Sequence, residues 1–431
     1  MLCSTFARSG WVLALAALLL TACVPSAPAV LAAATVSPIP AATATPIAPP
    51  TLTAAPSATL APTPTPTAVF TPTAQALGPD EFPAGVNPLT GLPVQDPALL
   101  QLPPALVSIS NSPVTARPQA GLSFSPVVHE IFIGAGKTRF LATFYGDFPR
   151  VRSDRGDWLP DDEVSVGPIR SGRLPYETLR QLYNGFVVMA FASKWVMPNL
   201  TFYHNIISPD LEDINATRVS VADLKGFARS RLPQLGAPAI SGHRFDPAPP
   251  PGGKPAPMIW IPFAYYDQII WRYDAASGAY NRYQDREDAE HFDRITDSLT
   301  GEPLTFENVV VIFADYISYR ETLVDVPLQY ITRYPALAFR DGQIYRIWWT
   351  TGNEAYEQKT GKLRPIRFKD AQGNPFPLKP GQTWLEIVTQ NTNVFETVDS
   401  TTFFDLANKP KPGSGNWAVL FIPPVPQEPS E

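Results

Sequence analysis

The chain has 431 residues, 50 of them Pro, and a formal net charge of -6. That balance gives no basic footprint for nucleic acid, which needs Lys and Arg enough to displace counterions. Only Cys3 and Cys23 are cysteines, so thiolate metal sites and a disulfide-stapled fold are excluded, and stability has to come from a hydrophobic core.

Residues 1–23 read as an export signal. Arg8 supplies the positive end, Trp11 to Leu20 is an apolar run too short for a comfortable transmembrane helix, and small residues follow. Leu20-Thr21-Ala22-Cys23 resembles the lipobox of bacterial lipoproteins. It predicts a diacylglycerol on the Cys23 thiol and a position on the outer face of the bacterial cytoplasmic membrane. Each buried methylene adds about 0.8 kcal/mol, so two or three acyl chains hold stably. From Val24 through Pro79 no side chain is charged, and Thr-Pro and Ala-Pro steps recur. Proline removes backbone donors and extends its neighbours. Residues 24–84 are therefore predicted to be a disordered stalk of polyproline-II character, about 3 Å per residue.

About 350 residues remain, room for two domains of ordinary size. Asn87 to Pro93 reads as an opening turn and Ala105 to Ser110 as a short strand. Phe124 to Ile133 suits a buried helix or strand, since periodicity does not decide. Arg139 to Tyr145 is a better strand, Pro175 to Tyr183 a helix with Pro at its first position, and Phe186 to Ala192 a buried strand. The alternation predicts an α/β domain over residues 85–240. Leu232 to Met258 is crowded with Pro and Gly and marks a boundary. Beyond it come hairpin signals around Ser277-Gly278 and Asp341-Gly342, and a turn at Gly373-Asn374. Residues 255–425 are thus predicted to be a mostly antiparallel β domain, and the whole chain α+β.

Gly134-Ala135-Gly136-Lys137-Thr138 suggests a phosphate loop, but Ile131 stands where the Walker pattern needs Gly. A better constellation is Gly167-Pro168-Ile169-Arg170-Ser171-Gly172-Arg173, just before the Pro175 helix. Its glycines let backbone approach a ligand, the helix start offers unpaired N–H groups, and Arg170 and Arg173 can grip an anion bidentately. Arg117 and Arg139 could extend the cluster. The alternative is that these arginines pair with Asp161, Asp162 and Glu163. His129, His204, His243 and His291 lack zinc spacing, so no metal or cofactor is predicted. His204 could be a general base or a loop hydrogen-bonding residue. Ser171 could be a nucleophile, though no Gly-x-Ser-x-Gly elbow surrounds it. Trp348-Trp349 and the aromatic stretch from Ala264 to Tyr283 could stack on sugars or fill hairpin faces.

Several segments together resemble the YerB-like bacterial lipoprotein family, also known as domain of unknown function 3048. They include Asn87-Pro88-Leu89-Thr90-Gly91, Ala116 to Leu122, His129-Glu130, Thr138 to Leu141, the Gly167 to Arg173 loop and His204-Asn205. Further on they include Thr300 to Leu304, Asn308-Val309, Phe339 to Gly342 and Leu378 to Trp384. Members commonly have Tyr where His129 stands, an apolar residue at Lys137, and a His-Ala-Gly-Gly-Ser type ending where this chain has Met189 to Ser193. The resemblance implies an N-terminal and a C-terminal domain. It also implies one pocket holding Arg117, Glu130, Arg139, Arg170, Ser171, Arg173 and His204.

The leading functional expectation is an anchored envelope protein that binds a phosphate- or carboxylate-bearing ligand through Arg117, Arg139, Gly167, Arg170, Ser171 and Arg173. One alternative is an envelope hydrolase or phosphotransferase, with His204 or Glu130 as base and Ser171 or water as nucleophile. Another is a protein–protein interaction module using the aromatic second domain.

Overall fold

The computed structural model describes residues 75–427. Cys23, the export signal and all but the last ten positions of the predicted stalk lie outside the described residues. The chain is mostly strand, with few helices. Its principal elements are β1 (Ala105–Ser110), β2 (Val127–Gly134), β3 (Lys137–Phe144), α1 (Pro175–Tyr183), β4 (Phe186–Met189), β5 (Tyr203–Asn205) and α2 (Val221–Leu235). After these come β6 (Met258–Ala264), β7 (Asp267–Asp274), β8 (Ala279–Asp285), β9 (Asn308–Ala314), β10 (Tyr334–Arg340) and β11 (Gln343–Thr350). The last are β12 (Thr383–Thr389), β13 (Asn393–Glu396) and β14 (Asn416–Leu420).

One large sheet runs in the order β11-β10-β9-β12-β2-β3-β1-β4-β5, with short strands added at the β11 edge. It draws on both sides of the predicted domain boundary. At its centre β12 lies parallel to β9 on one side and to β2 on the other. A second sheet, β8-β7-β6-β14-β13, is extended by Phe292–Arg294 beside β8. Strand alternation sends Val107, Phe140, Val309 and Trp384 toward Ile259, Trp271 and Tyr280 of the second sheet. Leu106, Leu141, Val187 and Ile387 point the other way, into a core with Tyr176, Leu179 and Tyr183 of α1.

The expected α/β first domain meets a more strand-rich arrangement. β2 and β3 form a hairpin, and β3 pairs antiparallel with β1, so this region is not a series of parallel crossover units. Helix α1 covers one face and is followed by β4, parallel to β1. The Gly134 to Thr138 segment is the β2–β3 hairpin turn, with Ala135 and Gly136 at positive φ as such turns require. An added Cβ at Gly134 would sit 1.8 Å from the Glu321 carbonyl oxygen. The Asp341-Gly342 hairpin joins β10 to β11 as expected, with Arg340 opposite Gln343. Of the aromatic residues considered for sugar stacking, Trp271 and Trp349 are buried in the core, and Trp348 carries the Arg333 guanidinium 4.0 Å from its ring centre.

Candidate functional site

Five of the expected and neighbouring residues converge. Lys137 and Arg139 project from the same face of β3. Arg170, Ser171 and Arg173 come from the loop before α1. Together they line a cavity of about 470 Å³ whose walls include Ser112, Ile133, Ile169, Ala190, Ile214 and Thr217. No Asp or Glu lines it. Among the described residues, none of the four cations forms an ion pair with a carboxylate. The alternative pairing with Asp161, Asp162 and Glu163 is not found. Asp161 instead binds Lys225 at 2.7 Å, and Asp162 and Glu163 are exposed.

Each arginine is held differently. Arg170 is the most engaged. Its Nε donates to Ser110 Oγ at 3.0 Å, Nη2 donates to Asn215 Oδ1 at 2.9 Å, and Nη1 donates to the Ile214 carbonyl. Arg173 Nη1 donates to Ser171 Oγ at 2.7 Å and to the Gly172 carbonyl at 3.0 Å, while its buried Nε has no partner. Arg139 is only 7% exposed. Its one contact is a long 3.4 Å approach of Nη1 to the Ser171 carbonyl, and its buried Nε is unpartnered. Burial pushes its guanidinium down to about 9, with Arg173 and Arg170 adding to the effect, so it is still charged at neutral pH. Beneath them Tyr176 of α1 shares a 3.0 Å hydrogen bond with Ser108.

The helix start contributes less than expected. Pro175 has no N–H, the Tyr176 N–H donates to the Arg173 carbonyl, and the Glu177 N–H donates to the Leu174 carbonyl. In the loop, the amides of Ile169, Arg170 and Gly172 are likewise taken by Thr217, Ser108 and Phe191 carbonyls. Donors to an anion therefore come from guanidinium groups. Gly167 does not line the cavity but sets the loop. Its φ is +155°, it exchanges backbone hydrogen bonds with Ala120, and an added Cβ would lie 3.0 Å from the Thr217 carbonyl oxygen.

The remaining candidates sit elsewhere. Glu130 faces the second sheet, opposite Glu386 in the β2–β12 register. Arg282 bridges the two carboxylates, at 2.9 Å to Glu130 and 3.5 Å to Glu386. Trp384 Nε1 donates to Glu130 at 3.1 Å and Trp271 Nε1 donates to Glu386 at 2.9 Å. Burial first, then Glu130, raises Glu386 well above the usual carboxylate range. Nearby Asp267 accepts from the Thr138 N–H at 2.9 Å and from Gln284 Nε2 at 3.0 Å. Burial and Glu130 push it up to about 7. Arg117 belongs on this side: its Nη1 donates to the Asp285 carbonyl at 2.6 Å and its Nε to the Asn111 carbonyl. His204 stacks on Phe227 of α2 at 4.0 Å, and its Nε2 accepts from Arg231 at 3.1 Å. Burial and Arg231 hold its pKa down to about 4, so the lone pair a base would use is occupied. Neither His204 nor Glu130 lines the cavity with Ser171.

Sequence reasoning met Lys137 only in the rejected phosphate-loop pattern and as a departure from the family, and passed over Tyr176, Asp267, Arg282 and Glu386. Lys137 and Arg139 stand two apart in a strand, a spacing that places both on one face. Among the described residues no cluster of His, Cys, Asp and Glu could hold a metal ion.

Two family models match the chain, the DUF3048 N-terminal domain over residues 89–230 and the DUF3048 C-terminal domain over residues 259–385, both described as of unknown function. Together they span more than half of it. The chain belongs to the DUF3048 family. A Bacillus subtilis (strain 168) member named as a lipoprotein, YerB, is 26% identical over 332 residues, covering 70% of this chain and 85% of its own. The crystal structure of Bacillus subtilis YerB superimposes with a TM-score of 0.54 at 22% identity, covering 70% of this chain and 96% of that one. The likeness shows a fold shared over 70% of this chain.

Proposed function

We propose that this chain is an extracytoplasmic protein, lipid-anchored at Cys23, whose folded part binds an anionic group of the cell envelope, a phosphate or a carboxylate. The observation that carries the reading is Arg139: a nearly buried guanidinium with an unpartnered Nε, facing a cavity that holds three more cations and no acid. A buried charge left without a partner costs several kcal/mol. A protein retains such a charge where a ligand supplies the counter-charge. The volume also falls within the range of small-ligand pockets. The Leu20 to Cys23 sequence and the name of the Bacillus subtilis relative support the anchor. No helix among the described residues is long and apolar enough to cross a membrane.

The binding reading is tested by thermal melting at constant ionic strength across a panel of phosphates and carboxylates. A ligand at 100 times its Kd adds about 2.7 kcal/mol to the folded state. The expected outcome is a rise in Tm for the wild type and none for Arg139→Met, whose own Tm stays within a few degrees. If no anion shifts the wild type, or if Arg139→Met fails to fold, the reading is wrong. The anchor is tested by fractionation, with Cys23→Ala expected to leave the membrane fraction.

A further inference from the structure

We infer that the ligand of this cavity is a terminal phosphoryl group, doubly charged or a diphosphate, carried on an apolar chain. The inference rests on the anion-binding reading and narrows it to one chemistry. The first argument is charge. Lys137, Arg139, Arg170 and Arg173 meet with no acid in the wall. A single carboxylate has one negative charge and two oxygens, so it would leave most of this charge uncompensated. A phosphoryl group brings close to two charges and three strong acceptor oxygens.

The second argument is geometry. The unpartnered donors, Arg139 Nε and Arg173 Nε, belong to two different guanidinium groups on two different elements. Two planar forks on separate elements suit a tetrahedral group, which offers oxygens on several sides, better than a flat carboxylate.

The third argument is the wall opposite the cations. Ile133, Ile169, Ala190 and Ile214 line the cavity, and Ile214 is 57% exposed. Further apolar residues lie on the segments that adjoin this wall. The Ile206 N–H donates to the Met189 carbonyl, which carries the β4–β5 contact just past Met189 and Asn205, ahead of Phe191 and Ile207, and the Gly172 N–H donates to the Phe191 carbonyl, which sets Phe191 beside the arginine loop. Ile207, Phe191 and Leu211 are all exposed large apolar residues. The segment that carries Ile207 and Leu211 is fastened at its far end, where Arg170 binds Ile214 and Asn215. The same arginine that faces the anion thus fixes the start of an apolar track. An apolar cavity wall with exposed apolar residues on the segments that adjoin it fits a ligand that is charged at one end and apolar at the other.

The test is calorimetric titration of the full chain with inorganic phosphate, hexyl phosphate, hexanoate and, as a long-chain member of the class, dodecyl phosphate below its micellar concentration. Hexyl phosphate is expected to bind at least about tenfold tighter than hexanoate, because it doubles the charge met by the guanidinium groups. It should also exceed inorganic phosphate, by up to about fourfold for each methylene that reaches the track. Dodecyl phosphate tighter than hexyl phosphate points to a lipid-like source; equal affinity points to a short, soluble one. Both support the class. The double variant Ile207→Ser with Leu211→Ser should lower affinity for hexyl phosphate and leave that for inorganic phosphate unchanged, a split that simple unfolding would not give. Hexanoate equal to hexyl phosphate overturns the phosphoryl assignment while anion binding stands. Inorganic phosphate equal to hexyl phosphate overturns the apolar chain. No binding of any of the four overturns both this inference and the reading beneath it.

Discussion

The two faces of β3 hold opposite chemistries within one strand. On the α1 face, Lys137 and Arg139 look into a cavity with cations and no acids. On the other face, Thr138 touches Glu130 and Asp267 in a buried cluster where Glu130, Glu386, Asp267 and Asp285 outnumber Arg282 and Arg117. The acid-rich face is closed: Arg282 bridges Glu130 and Glu386, Trp and Gln donors reach the carboxylates, and burial raises Glu386 and Asp267, while Glu386 Oε2, Asp285 Oδ2 and Arg282 Nη1 keep no hydrogen-bond partner. The cation-rich face is open: Arg170 and Arg173 are held by neutral acceptors, Arg139 has only a long approach to a carbonyl, and among the described residues no carboxylate forms an ion pair with any of the four cations. Carboxylates bridged by a cation inside the core are structure, whereas a buried cation without a carboxylate beside a cavity is a candidate site.

The sharpest way to break this contrast is Arg282→Met. Removing the cation between Glu130 and Glu386 leaves two facing buried carboxylates, and a loss of about 3–5 kcal/mol is expected in urea unfolding. Arg139→Met, the matching change on the other face, is expected to be neutral or slightly stabilising, because it removes a desolvated charge that lacks a partner. If both cost the same, the two faces do not differ in the way described. Next in size, Trp384→Phe strips a donor from Glu130 and is expected to cost about 1–3 kcal/mol by the same measurement.

Asp267 gives a pH-dependent test. Its folded pKa of about 7 lies above the ordinary value of 3.8, so between those limits the folded chain holds a proton that the unfolded chain releases. Stability from this group is therefore full at low pH and is lost as pH rises toward 7, at up to roughly 1.4 kcal/mol per pH unit. The groups facing it are Glu130 on β2, Thr138 on β3, Gln284 and Asp285 on β8, and Asn111 and Arg117 beyond β1. His129 and His243, held down to about 4 by burial, slope the other way, losing stability as pH falls below 6.5. Urea midpoints of Asp267→Asn minus wild type cancel the histidines. That difference should climb from pH 4 to 7 and then level, and a flat difference would show Asp267 ionised throughout.

How much of this was legible follows from particular residues. β1 and α1 occupy the spans that their apolar run and N1 proline predict. β2 was ambiguous because every residue in it is buried, so no polar alternation shows. Helix α2 was hidden by Gly226 and Pro233, which weaken the helical pattern. The arginine loop was legible as a cluster, but the pocket implied for Glu130, Arg117 and His204 alongside it was not realised. His204 is drawn off by Phe227 and Arg231, and for Glu130 and Arg139 the separation involves a bulge. In the β2–β3 hairpin Gly134 pairs with Lys137, yet Phe132 pairs with Thr138, a shift of one residue between them. Without it Arg139 would stand opposite Phe132 and share the face of Glu130. With it Arg139 stands opposite Ile131, on the other face. Such an inserted residue leaves no mark in composition or periodicity.

The position of β12 at the centre of the large sheet also has a consequence for how the chain matures. Trp384 donates to Glu130, a partner 254 positions earlier, and β12 is the strand that pairs the open side of β2. A chain synthesised from its N-terminus must therefore carry β2 with one side bare until β12 has been made. Closure of the central sheet is a late event of high contact order, slow by nature and vulnerable to pairing with other chains in the interval. The first family segment on its own, residues 89–230, would keep that bare edge permanently and should aggregate more readily than a chain that carries β12.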